Sequence, residues 1–257
     1  MEEITQDGFN FKAYAAGTAA VTGRAPGNTD TQISIPESVS VNGKSFPVTE
    51  IGPQAFSENN LTSVTIPDSV KNIDRSAFVA NKLTSVTIPD SVTKISGAAF
   101  SSNKLTSVTI GNSVKTIGES AFIYNKLTSV TFPDSVTSIG YWAFKDSQLT
   151  SVSLPDSVRH IGWGAFFNNK LTSVHIGNSA VDIGELAFEC SQVFSITVAD
   201  SQPVEFDELL ELVGVTYENV TALGKLQRER RNAVKELVMG RGYDLQDAIT
   251  ALELVYL

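Results

Sequence analysis

A segment reading N-K-L-T-S-V-T-I-P-D-S-V at residues 81–92 returns, little changed, along most of the chain. Leu61, Leu83, Leu105, Leu127, Leu149 and Leu171 are each 22 residues apart, and Val193 continues the series. An Ala-Phe pair keeps the same step, at Phe56, Phe78, Phe100, Phe122, Phe144, Phe166 and Phe188. Nothing is inserted between residues 57 and 200, so the unit N-K-L-T-S-V-T-I-P-D-S-V-x-x-I-G-x-x-A-F-x-x stays in phase throughout. A period of this length predicts a solenoid, because a single unit cannot bury its apolar face alone and must stack on its neighbours.

Each unit predicts one coil. In the unit starting at Asn81, Leu83, Val86 and Ile88 give the strand pattern L-x-x-V-x-I, with Val86 and Ile88 facing inward by the period of two. Pro89 has no amide donor and ends the strand. Val92, Ile95 and Phe100 return to the core along the other arc. Strands about 4.8 Å apart would make seven repeats a rod of roughly 30 Å. Asn59, Asn81, Asn103, Asn125 and Asn169 recur before the strand, where an amide side chain can bond the backbone of a tight turn. Ser147 and Ser191 replace it in two coils. Glycine follows the core isoleucine at 52, 118, 140, 162 and 184, but Asp74 and Ser96 also stand there. That position is therefore not expected to need a left-handed backbone.

Residues 1–56 read as an N-terminal cap ending in an irregular first coil, with Asn42-Gly43 as a hairpin turn. Residues 57–200 are the solenoid. After Asp200 the period stops and helical spacing begins. Leu209, Leu210 and Val213 share one face, as do Leu223, Leu226, Val234 and Leu237. Residues 201–257 are therefore expected to form a helical C-terminal cap or docking segment, since the open end of a solenoid exposes core side chains. The fold class expected is α/β: a solenoid with short parallel strands, a β-rich N-terminal cap and an α-helical C-terminal cap.

The L-x-x-V-x-I strand, the "IPDSV" exit and the "IGxxAF" return resemble the BspA-like leucine-rich repeat proteins, from about Ile33 to Asp200. The step of 22 residues is close to the 23 usual in that family. The resemblance implies a leucine-rich repeat solenoid with its short parallel strands on the concave face, and a bacterial or protist surface or secreted protein that binds host or partner proteins.

Composition narrows the function. The chain is 42% apolar and 18% charged, as befits a folded protein. A net charge of −9 argues against nucleic acid as a partner. No apolar run is long enough for a transmembrane helix. The N-terminus has no basic region followed by an apolar stretch, so no signal peptide is read. Two origins fit: a cytosolic chain, or one whose signal has been removed.

Catalysis needs different groups converging on one point, whereas a repeat spreads identical groups along a line. His160 is expected to be exposed before the core isoleucine, and His175 to point outward from the sheet. Cys190 is the sole cysteine and reads as an inert thiol, with a reactive thiol as the alternative. Asp68, Asp90, Asp134 and Asp156 form a row read as turn-making, with calcium as the minor alternative. No Cys/His cluster has metal-ligand spacing. "GKLQRERR" reads as a solvated helix face. No cofactor and no enzymatic activity are expected.

Surface remains. The strand residues between core positions are Ser63, Thr65, Ser85, Thr87, Ser107, Thr109, Ser129, Thr131, Ser151, Ser153, Ser173 and His175. They read either as residues that merely suit a sheet surface or as a hydroxyl-rich face for a protein or glycan ligand. Tyr141, Trp142 and Trp163 stand where other coils have small or charged residues, either packed in the core or exposed as an aromatic patch. The leading expectation is a non-enzymatic, adhesin-like module for a host, matrix or cell-surface protein, with a glycan as the alternative ligand. A structural spacer with docking helices, and ice binding through the Ser/Thr rows, are the other readings.

Overall fold

The computed structural model describes residues 2–177, 182–184, 186–189 and 195–198. The chain winds into a β-solenoid whose coils begin at residues 59, 81, 103, 125, 147 and 169. Leu83, Val86, Ile88, Val92, Ile95 and Phe100 are all buried, so the six apolar positions of the unit are its core. None of the described residues is helical. The expected α/β class therefore has only its β part among them, and the predicted C-terminal helical cap lies outside the described residues, as does Cys190.

The N-terminal strands β1 (Glu2–Gln6), β2 (Phe9–Ala13) and β3 (Ala19–Arg24) form an antiparallel meander. After β4 (Gln32–Ser34), strands β5 (Ser38–Val41) and β6 (Lys44–Ile51) make a hairpin. Asn42 and Gly43 both have positive φ at its turn, the geometry that matches the twist of a two-residue hairpin. Strand β3 then pairs in parallel with β6, which leads into the solenoid.

The longest ladder runs on the arc that the sequence pattern left unassigned. Two-residue strands at Asn72–Ile73, Lys94–Ile95, Thr116–Ile117, Ser138–Ile139, His160–Ile161 and Asp182–Ile183 pair in parallel, each isoleucine opposite its own copy. With β1, β2, β3, β5 and β6 they form one 11-stranded sheet. The strands expected at the Ser-Val-Thr arc do form, but as three separate ladders. β4 pairs with Ser63–Thr65, and Ser85–Thr87 pairs with Ser107–Thr109. Ser151–Ser153, Ser173–Ile176 and Ser195–Val198 make the third. Residues 129–131 carry no strand. In that coil Phe132 replaces the usual isoleucine, and its ring sits edge-on to Phe144 at 5.4 Å and to Phe166 at 6.2 Å.

Three side-chain columns hold the coils together. Phe56, Phe78, Phe100, Phe122, Phe144, Phe166 and Phe188 stack with centroids 5.2–5.5 Å apart and planes within 11° of parallel. Offset stacking of this kind is worth about 0.5–1.5 kcal/mol per pair beyond burial. Phe9 of β2 closes the column edge-on to Phe56 at 6.0 Å. The asparagines form the second column, and their bonds reach between coils rather than only around a turn. Asn103 Nδ2 donates to the Phe78 carbonyl two coils back at 2.9 Å and to the Phe100 and Ser101 carbonyls at the end of the preceding coil. Its Oδ1 accepts the Leu83 amide at 3.1 Å. Asn81, Asn125 and Asn169 repeat the arrangement. Ser147 breaks it: its hydroxyl is buried without a partner, and no such bond reaches the Leu127 amide.

The third column is glycine. A Cβ on Gly118 would lie 2.7 Å from the Gly97 nitrogen, and one on Gly140 2.6 Å from the Glu119 nitrogen. These glycines are there for close coil-to-coil approach, and their φ is ordinary, as expected. The left-handed positions lie elsewhere. Ser76, Ala98, Ser120 and Trp142, two residues beyond the glycine position, and Ala80, Ser102, Tyr124, Asp146 and Asn168, two beyond the phenylalanine, have φ of 53–58°. Each costs an L-residue about 1–2 kcal/mol. The reason is in the hydrogen bonds: in this conformation each amide donates to a carbonyl of the next coil, as Ala98 does to Glu119 at 2.8 Å.

Two substitutions test the asparagine column in opposite directions. Asn103→Ala is expected to destabilise the fold by about 1–3 kcal/mol, since it strands the Leu83 amide and removes one of the two amide donors to the Phe78 carbonyl. Ser147→Asn is expected to stabilise it by about 1–2 kcal/mol by giving the Leu127 amide an acceptor. Urea melts of both variants read the sign and the size.

Candidate interaction surface

The stacking rule exposes the residues between core positions. Ser63, Thr65, Ser85, Thr87, Ser107, Thr109, Ser129, Thr131, Ser151, Ser153 and His175 are exposed, and Ser173 is half-buried. The ladders beneath them are broken between Thr65 and Ser85 and again at residues 129–131. Ser153 and His175 face each other in register. They line a shallow cavity of about 390 Å³ with Asp134, Leu154, Pro155, Asp156 and Ser157. His160 is half-exposed and its Nδ1 lies 2.6 Å from the Asp182 carboxylate on the next coil. Asp90 accepts the Asn112 amide at 2.7 Å, a bond between successive turns. Among the described residues no three His, Cys, Asp or Glu side chains gather to hold a metal ion.

The aromatic residues do gather. Tyr124, Tyr141 and Trp163 are the exposed large hydrophobics of the described residues, and they lie on successive coils. Trp142 meets Trp163 edge-on at 5.2 Å. It lies where Gly164 has no side chain: a Cβ there would fall 2.8 Å from the Trp142 ring. Lys145 sits among three rings, with Nζ 5.7 Å from the centre of Tyr124, 5.8 Å from Trp142 and 5.5 Å from Phe167. Its charge is paired with Asp146 at 3.2 Å, and Asp146 accepts a hydrogen bond from Asn168. The lysine, which was not among the expected site residues, therefore braces the rings. Tyr124 and Phe167, which also depart from the repeat in the sequence, complete the patch.

A second cluster was not foreseen. Glu50 of β6, Tyr14 just after β2 and Asp74 after the strand Asn72–Ile73 come together at the start of the solenoid. Asp74 stands where later coils have glycine. Burial, then a hydrogen bond with Asp74 and that group's negative charge, push the Glu50 carboxyl above the usual carboxylate range, against the lowering effects of Tyr14 and Lys12. Burial, then the charges of Glu50 and Asp74, raise Tyr14.

The model of the BspA type leucine rich repeat region, with 6 copies, matches residues 31–148 and 115–206, more than half of the chain. The chain belongs to the BspA-type leucine-rich repeat family. That membership points to a protein-interaction or surface role. A leucine rich cell surface protein from Faecalibacterium prausnitzii has the same fold at 25% identity and a TM-score of 0.51, over 77% of this chain and 70% of that one. A leucine-rich repeat protein of T. pallidum matches at 23% identity and a TM-score of 0.45, over 87% of this chain and 96% of that one. The pneumococcal vaccine antigen PcpA matches at 22% identity and a TM-score of 0.46, over 67% of this chain and 49% of that one. A comparison with curated proteins found no match. Among the described residues no helix is long and apolar enough to cross a membrane.

In this BspA-type repeat the Glu50 cluster makes stability depend on pH. The raised carboxyl is protonated in both folded and unfolded chains at low pH. As pH rises from the ordinary value of 4.5 through the raised one, the unfolded chain ionises first and stability falls. Glu50→Gln removes that loss while keeping a donor for Asp74 and an acceptor for Tyr14. Its urea midpoint is expected to match the parent protein near pH 4 and to exceed it at pH 7.

Proposed function

We propose that this chain is a non-enzymatic interaction module of a bacterial surface or secreted protein, which binds a host, matrix or other partner protein in the manner of an adhesin. One observation carries the reading: the exposed large hydrophobics of the described residues, Tyr124, Tyr141 and Trp163, all fall in a single patch braced by Lys145 and Trp142. Tryptophan and tyrosine dominate the energetic centres of protein interfaces, and rings already held in place lose little freedom on binding. The Ser/Thr rows lack such anchors and serve as the polar surround. The cell-surface description of the Faecalibacterium prausnitzii protein supports the location. On this reading residues 1–56 and 201–257 close the two ends of the stack formed by 57–200.

Surface plasmon resonance against a panel of extracellular matrix proteins tests the patch. Saturable binding to a member of the panel is expected, weakened about 30-fold by Trp163→Ala, the scale of a hot-spot residue. A Thr87→Ala/Thr109→Ala double variant should stay within about twofold, as interface residues outside hot spots do. The reverse pattern would move the site to the hydroxyl rows. Removing residues 205–257 is expected to cause aggregation with the patch still competent to bind. A truncated chain that stays soluble but loses binding would place the interaction in the tail.

A further inference from the structure

The charges around the aromatic patch say what kind of partner segment it fits. Three coil arcs meet there, and their outward residues can be read column by column. Glu119, Tyr141 and Trp163 follow one another in the first column. The contact is direct: a Cβ on Gly140 would touch the Glu119 backbone, and Ser120 donates its amide to Tyr141 at 2.7 Å. Another column runs Ile123, Lys145, Phe167 and Glu189, with the Asn168 amide bonded to the Glu189 carbonyl. Lys145 is the single basic residue of these arcs, and Asp146 neutralises it at 3.2 Å. Glu119, exposed beside Tyr141, and Glu189, half-buried beside Phe167, make no ion pair among the described residues, on a chain of net charge −9.

We infer that the patch binds an arginine-bearing segment of a protein, with the guanidinium stacked over Tyr141 and Trp163 and paired with Glu119. This rests on the reading of the patch as the binding surface and names its partner's chemistry. Aromatic faces attract cations through their negative π-surface, and carboxylates at the rim add to the same preference. The inner ammonium position among Tyr124, Trp142 and Phe167 is already filled by Lys145. What stays open is the outward surface of Tyr141 and Trp163, 54% and 36% exposed. A planar group that stacks on a ring while bonding a carboxylate in two places suits that surface, and guanidinium does both where ammonium does not.

The test uses the chain's own reporters, because its only two tryptophans, Trp142 and Trp163, are both in the patch. The full chain is titrated with a short peptide carrying two arginines and with the same peptide carrying neutral citrulline, while tryptophan emission is followed. The arginine peptide is expected to give a saturable shift and to bind about tenfold more tightly than the citrulline peptide. Glu119→Gln should weaken it by a similar factor, as should Trp163→Ala, in which Trp142 remains as reporter. Glu58→Gln, which removes an exposed carboxylate just before the first coil, should leave it unchanged. Equal binding of the two peptides would overturn the inference, and so would equal losses from Glu119→Gln and Glu58→Gln. A saturable shift with neutral oligosaccharides in place of the arginine peptide would overturn it in favour of a glycan site. If Trp163→Ala abolishes binding to a matrix protein while the arginine peptide gives no shift, the patch stands as the binding surface and only the arginine assignment falls.

Discussion

A strict 22-residue step means that the side chains of a core column meet their own counterparts one coil away, so each core position must be filled by a residue that packs well against its own kind. Phenylalanine meets this requirement by offset stacking, and isoleucine by nesting of branched side chains on a parallel ladder. Asparagine meets it differently. Its amide is both donor and acceptor, so Asn103 can accept from one coil and donate to two without leaving a buried polar atom unpaired. A buried charge could not repeat in this way, because like charges about 4.8 Å apart would repel along the whole stack. Among the described residues the interior columns are accordingly free of charge.

The same step explains the backbone. Coils this close leave no room for a Cβ at Gly118, Gly140 or Gly162, and amides on the turns must point at the next coil to be satisfied. The left-handed residues perform that second task. Their cost recurs in every coil, and it is offset by an inter-coil hydrogen bond each time, as at Ser102 to Ile123. Where one column fails, at Ser147, the coil is still held by the phenylalanine stack and the turn amides.

The core was legible in the sequence because burial and period are the same fact here: Leu83, Val86, Ile88, Val92, Ile95 and Phe100 were readable as inward residues from spacing alone. The sheet was less so. Ser-Val-Thr looks like a strand by its composition, whereas a two-residue strand such as Lys94–Ile95 leaves no alternation to detect. The left-handed turns were hidden because Ser76, Ala98 and Trp142 stand where glycine would have signalled them. Of the patch, Tyr141, Trp142 and Trp163 stood out by departing from the repeat. Lys145 did not, since its role depends on rings from the coils before and after it. The meeting of Glu50, Tyr14 and Asp74 joins the irregular N-terminal strands to the first coils, and no period relates them.

A fold of this kind separates stability from recognition along a sharp line. Inward positions are copied because any change is felt by the coils on both sides. Outward positions at the turns carry no core, and a left-handed site already held by its hydrogen bond takes serine, alanine, tyrosine or tryptophan with the backbone unchanged. Trp142 shows how such a position becomes specific. Its backbone is that of Ala98 and Ser120, but its ring can lie down only because Gly164 occupies the equivalent site on the next coil. Recognition is thus encoded between neighbouring coils: one supplies the ring and the next supplies the space. The aromatic patch spans successive coils for that reason, and it sits where the copies differ most.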